Sequence, residues 1–459
     1  MLDWNRYASQ EMLALFSKDT KYTTWRKLWV ALAKAQKQLG LPITDTQIRS
    51  LESKINSIDY KKVEELERIY HHDVMSHLHA YAELCEEARP ILHMGATSAF
   101  VTDNTDALLM REGLGIIQKK LKIAIEKLAA FAKTYAALPT LSYTHLQPAQ
   151  PTTVGKRACL WLQDFLFDFE DITKAKTDLR FLGVKGTTGT QASFLALFKG
   201  DSNKVKQLEE LVAKEMGFKK IFTISGQTYT RKQDMRALSP LAGLAASAHK
   251  FSTDMRLLAH LGEIEEPFAK NQVGSSAMPY KRNPILCERM SSLARFLLSI
   301  TENPGYTLSV QWLERSLDDS ANRRLSIPQT FFSADAILEL IIKVVSDTTV
   351  YPKVIRKHLE NELPFMMTEN ILMAAVAKGK DRQKAHEALR AKSMAIIKKI
   401  KEEGAENDLI SHLHNDDAIG LSSDELQTVL SSNTLTGLAE QQVETFLKEE
   451  VTPAINKKS

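Results

Sequence analysis

An all-α protein built around a bundle of long helices is what the sequence predicts, and three observations carry that expectation. Ala107, Met110, Leu114, Ile117, Leu121, Ala124, Leu128, Phe131 and Tyr135 follow one another in strict steps of three and four. A seam kept for about four heptads specifies a helix far longer than the roughly 11–12 residues usual in globular proteins, packed in a left-handed bundle. The same spacing returns at Leu241, Leu244, Ala248, Phe251, Met255 and Leu258, and again at Ala334, Leu338, Ile341 and Val345. Glycine (19) and proline (14) are sparse among 459 residues, which favours uninterrupted helices over a turn-rich β fold.

In chain order, the opening stretch Met1-Leu2-Asp3-Trp4-Asn5-Arg6-Tyr7 has no apolar run of the kind that heads a secretory signal. Turn residues interrupt the helical text near Gly95 to Ser98 and again at Tyr351-Pro352. They divide the chain into three expected helical domains: a compact N-terminal region (1–97), a central long-helix bundle (98–350) and a smaller C-terminal region (351–459). The seam helix should end before Pro139, since proline cannot continue it. Stripes of this kind need one another for burial, within one chain or between identical subunits.

The composition, 44% apolar and 25% charged, is that of a soluble globular protein, and 60 basic against 56 acidic residues leave a formal charge of only +4. That balance predicts no nucleic acid as a partner, and no stretch reaches the roughly 18 apolar residues that would span a membrane. Cys85, Cys159 and Cys287 are odd in number and widely spaced, which indicates neither a disulfide framework nor a thiolate metal site and suits a reducing cytoplasm.

Polar islands interrupt the amphipathic pattern. Gly95-Ala96-Thr97-Ser98, Tyr143 to Gln150, Gly186 to Gln191 and Gly226-Gln227-Thr228-Tyr229 collect hydroxyls and amides; each by itself reads equally as a helix cap or turn. The densest island is Gly274-Ser275-Ser276-Ala277-Met278-Pro279-Tyr280-Lys281-Arg282-Asn283-Pro284. Glycine frees one end, two prolines keep the segment out of a helix, and the remaining side chains are donors suited to an anion.

This segment resembles the signature of the fumarase/aspartase superfamily: Gly-Ser-Ser, any residue, Met-Pro, any residue, Lys, any residue, Asn-Pro. Its full wording, with the other islands in order, is similar to the branch of that superfamily acting on purine nucleotides, over about residues 4 to 454. The resemblance implies elimination of fumarate from succinylated purine nucleotides, with no cofactor and no metal, in a homotetramer whose active sites draw on three subunits.

Elimination across a carbon–nitrogen bond needs a base, a means of holding the carbanion, and an acid for the departing nitrogen. By resemblance Ser275 is the base, Lys281 and Asn283 support it or the substrate carboxylate, and His145, beside Thr144, is the acid. Histidine suits that task because its ordinary pKa near 6.5 leaves a proton available at neutral pH. His71-His72-Asp73, with His77 nearby, admits three readings: a solvated helix face, a metal site of the phosphohydrolase kind with Asp73 and His77 on one face, or a substrate-binding element. The resemblance favours the last, with His72 assisting His145 and Asp73 orienting His72.

Between Gln311 and Arg324 arginines and hydroxyls alternate with Asp318 and Asp319. An ordinary charged helix would look similar, with the aspartates pairing the arginines, but the planar fork of arginine also matches phosphate. The resemblance assigns Arg315, Ser320 and Arg324 to a phosphate group, and Arg289, Arg6, Tyr7, Thr97, Ser98 and Gln227 to other parts of the substrate. Two positions depart from the family pattern: His71 stands where arginine is usual, and Cys287 where serine is usual. Competing readings are a lyase acting on argininosuccinate or aspartate, a metal-dependent phosphohydrolase, and a structural protein reusing the fold.

Overall fold

The computed structural model describes residues 4–414, 416–430 and 435–456; residues 1–3 of the opening stretch lie outside them. Five long helices form the centre: α1 (Ser98–Thr134), α2 (Val154–Asp178), α3 (Lys232–His260), α4 (Ile285–Ile300) and α5 (Asp319–Asp347). α1 lies against α2 and α5, while α3 packs on α2, α4 and α5. The all-α expectation holds.

The seams explain the packing. Ala107, Met110, Leu114, Ile117, Leu121, Ala124 and Leu128 are buried along α1, with Phe131 and Tyr135 partly buried where the helix ends. The six apolar seam residues of α3 and the four of α5 are buried as well. At the start of α2, a β-carbon on Gly155 would lie 2.3 Å from the carbonyl oxygen of Ala132. Only glycine allows the end of α1 and the beginning of α2 to touch through their backbones.

Among the described residues α5 alone is long and apolar enough to cross a membrane by length and composition, although no unbroken apolar run marks it in the sequence. Its apolar residues instead form the middle of the bundle, buried against α1, α3 and α4. The N-terminal helix Lys18–Gln38 is fixed at its start by Ser17, whose hydroxyl accepts from the Thr20 N–H at 3.2 Å. Its Trp25, Leu28, Trp29 and Leu32 share one continuous core with the bundle. A second core, with Ile371, Leu389, Leu409 and Leu426, gathers the helices after Met367.

Two short antiparallel pairs interrupt the helices: β1 (Pro139–Thr144) with β2 (Gln147–Thr153), and β3 (Ile264–Glu265) with β4 (Thr349–Val350). In the first, Thr144 pairs with Gln147, so the turn is only His145 and Leu146, at φ 55° and 57°. Left-handed backbone at both central positions is the type I′ hairpin geometry. The sequence shows this segment as a polar island; the structure makes it a hairpin with His145 at its tip.

Candidate active site

A cleft of about 910 Å³ opens where four helices begin. Ser17 and Lys18 of the first long helix, His72 and Asp73 of the helix Asp73–Leu84, Thr97 and Ser98 of α1, and Asp319 and Ser320 of α5 all line it. Helix starts present unpaired N–H groups and the positive end of the helix dipole, so their convergence favours an anion. His71, Gln227, Arg315 and Arg324 complete the expected residues on this wall, joined by Lys21, Tyr22 and Asp106.

His72 occupies the cap position of its helix, where Nδ1 accepts from the Met75 N–H at 3.4 Å. That leaves Nε2 facing the Ser98 hydroxyl, also at 3.4 Å. Thr97 sits at the cap position of α1 but makes no capping hydrogen bond with its side chain. His71 ends the preceding helix in the left-handed conformation, φ 49°. The Asp73 carboxylate pairs with Arg324 and accepts from its neighbour's N–H, Val74, at 2.7 Å. Burial pushes its pKa up, but Arg324, that N–H and Lys21 together hold it below the ordinary carboxylate value. His77 belongs to the core: its ring stacks on Tyr22 at 3.8 Å, and burial, with Arg26 nearby, lowers its pKa to about 4.

Beneath the cleft lies a buried charge network. Arg231 binds Asp103 at 2.8 Å and Asp319 at 2.6 Å; Arg323 binds Asp234 at 2.7 Å and Asp106 at 3.0 Å. The Tyr229 hydroxyl joins Asp234 and Arg323 at 2.7 and 2.6 Å. Arg315 meets Asp319 at 2.8 Å, so part of the aspartate–arginine pairing expected of a plain charged segment does form. Among the described residues Lys21 has no carboxylate within ion-pair reach, its ammonium lying 5.7 and 5.5 Å from the Tyr22 and Trp25 ring centres. Burial first, and then Arg324 and Arg323, lower its pKa against the opposing pull of Asp106 and Asp73.

The other expected residues lie elsewhere on the chain. Arg6, Tyr7 and Arg289 share a smaller recess of about 270 Å³, with the guanidinium groups of Arg6 and Arg289 each 5.9 Å from the Tyr7 ring centre. Thr144 and His145 stand on the hairpin tip, exposed. Ser275, Lys281 and Asn283 belong to the loop between β3 and α4. There the Ser275 Oγ accepts from the N–H groups of Ala277 and Met278 at 3.3 and 3.2 Å. Two such donors stabilise negative charge on a hydroxyl oxygen. Asn283 donates to the Gly274 carbonyl at 2.9 Å, and a β-carbon on Gly274 would lie 1.8 Å from the Lys281 carbonyl oxygen. Cys287 lies buried below this loop; burial, then Glu266, pushes its thiol pKa up.

Lys21, Tyr22 and Asp106 escape sequence reasoning because they sit inside ordinary amphipathic helices; only the fold turns them toward the cleft. Among the described residues no three His, Cys, Asp or Glu side chains gather as a metal-holding set.

Comparison with known proteins places the whole chain in a family. The lyase family profile matches residues 6–296, and a profile described as adenylosuccinate lyase C-terminus matches residues 364–446. The chain is 50% identical over 454 residues to adenylosuccinate lyase of Saccharomyces cerevisiae, covering 98% of this chain and 94% of the relative. It is 48% identical over 453 residues to that of Schizosaccharomyces pombe, with the same coverage. In fold it is similar to the 3-carboxy-cis,cis-muconate lactonizing enzyme of Pseudomonas putida, with TM-score 0.86 and 21% identity over 99% of this chain and 98% of that one. A fumarate lyase from Mesorhizobium sp. BNC1 gives TM-score 0.81 at 21% identity, covering 98% of both chains. With its signature loop, its anion-favouring cleft and half its residues shared with curated enzymes, the chain belongs to the adenylosuccinate lyase family.

Proposed function

We propose that the protein eliminates fumarate from adenylosuccinate, leaving AMP, and from succinylaminoimidazole carboxamide ribotide, leaving the aminoimidazole carboxamide ribotide of purine synthesis. The observation that carries this reading is the cleft at four helix starts, where Arg315, Ser320 and Arg324 offer donors to a phosphate. Ser275 removes the proton beside the departing nitrogen's carbon, its alkoxide supported by the Ala277 and Met278 N–H groups. Lys281 and Asn283 hold the charge that grows on the adjacent carboxylate, and His145 protonates the leaving nitrogen, assisted by His72. The carbanion is held by hydrogen bonds and cations supplied by the chain itself.

In this reading the enzyme is a cytoplasmic homotetramer. Of the expected residues, nine line the cleft, three line the recess at Arg289, and five stand on the hairpin and the signature loop. A site assembled from three subunits unites these groups: one supplies the cleft, another the hairpin, a third the loop, which closes over substrate and excludes water. The test is fumarate release from adenylosuccinate, argininosuccinate and aspartate side by side. Turnover of the succinylated purine nucleotide alone is expected; turnover of only another substrate overturns the assignment.

A further inference from the structure

In the run Glu263-Ile264-Glu265-Glu266, just before the signature loop, each carboxylate has a partner, that of Glu263 being His358 Nδ1 at 2.9 Å. Glu266 accepts from the N–H groups of Leu286 and Cys287, both at 2.9 Å, and so fixes the start of α4. One oxygen of Glu265, Oε2, receives the Tyr351 hydroxyl at 2.9 Å and the Arg282 guanidinium at 3.4 Å. Arg282 lies at the far end of the loop, its guanidinium also 5.2 Å from the Phe268 ring centre. Tyr351 follows β4, and its own N–H donates to the Glu263 carbonyl at 2.9 Å.

Two adjacent glutamates therefore hold both ends of the 267–284 loop together, with Ser275 on the part that projects beyond them. Arg282 occupies a variable position of the signature, so the motif does not explain it.

We propose that Glu265 is a positioning residue for Ser275: by clasping Arg282 and Tyr351 it closes the neck of the loop and fixes the approach of the Ser275 hydroxyl to substrate. The inference rests on Ser275 being the base. Glu265 touches no substrate; it acts by keeping the loop in the arrangement from which Ser275 reaches the proton. An unclasped neck enlarges the set of loop conformations, which lowers kcat through the competent fraction and leaves binding in the cleft nearly unchanged.

The test compares Glu265→Gln, Arg282→Gln and the double variant by kcat, KM for adenylosuccinate and melting temperature. Each single variant is expected to lose roughly two- to fivefold in kcat, the scale of one half-exposed ion pair, with KM and melting temperature close to wild type. The double variant should be no worse than the poorer single one, because both remove the same clasp. If Glu265→Gln fails to fold, Tyr351→Phe removes one hydroxyl and should still lower kcat at unchanged KM. Wild-type kcat in the folded variants, or single losses that multiply in the double, overturns the clasp. Ser275→Ala, measured alongside, separates the two claims: if it still turns over, the base assignment fails; if it is dead while the clasp variants are wild type, only the clasp fails.

Discussion

Arg231 and Arg323 are guanidinium groups withdrawn from water and matched by carboxylates from three different helices. Such groups hold their geometry because losing a partner strands a buried charge. They form a rigid floor on which Arg315 and Arg324, less buried, can offer donors to a ligand. Asp168 shows the opposite situation. It is buried in α2 with Oδ2 lacking a hydrogen-bond partner among the described residues, and burial, with Asp164 and Asp171 nearby, raises its pKa to about 7 despite the Ser247 hydroxyl. A carboxyl whose folded pKa is raised contributes stability that is complete below its unfolded pKa, near 4, and is lost as pH rises through about 7. Asp168→Asn should therefore be more stable than wild type at pH 8, by about 4 kcal/mol at most, and the gap should vanish near pH 4. Thermal melts across that range check it; a constant gap refutes the titration.

At the level of elements, the long helices are legible because burial imposes the 3.6-residue period directly on the text of α1, α3 and α5. The hairpin is not. Its turn uses His145 and Leu146 in left-handed backbone, where sequence rules expect Asn-Gly, and Pro148 and Pro151 on β2 suppress any strand signal. That conformation is unfavourable for side-chain-bearing residues, and its presence at the proposed acid fits the habit of functional sites to hold local strain. The contact of α1 with α2 gives a sharper test. Gly155→Ala places a methyl group 2.3 Å from a backbone oxygen that cannot swing away. It should cost about 1–3 kcal/mol, the usual range for overpacking, seen as a lower denaturation midpoint; an unchanged midpoint contradicts the close approach.

Across the whole molecule, the residues that carry the proposed chemistry were readable one island at a time, whereas their assembly was not. His72, Ser98, Gln227, Arg315 and Arg324 lie far apart in sequence and meet because four helix starts converge. Their polarity marks them as interruptions in the helical text, which is why motif reasoning finds them. Lys21 and Glu265 lie in stretches that look like ordinary solvated surface, so three-dimensional proximity alone reveals them. Ser275 and His145 stand away from the cleft on projecting elements of the same chain. In the proposed function, a site shared between subunits gives both a purpose.

The measurement that bears most directly on this account is fumarate release from adenylosuccinate by Ser275→Ala and His145→Ala proteins, each alone and then after mixing under conditions that exchange subunits. Each variant alone should lose at least about 10²-fold in turnover, the lower range for a missing acid or base, with its fold intact, and the mixture should recover activity. Near-normal turnover by either variant alone, or a mixture that stays inactive after demonstrated exchange, would contradict it.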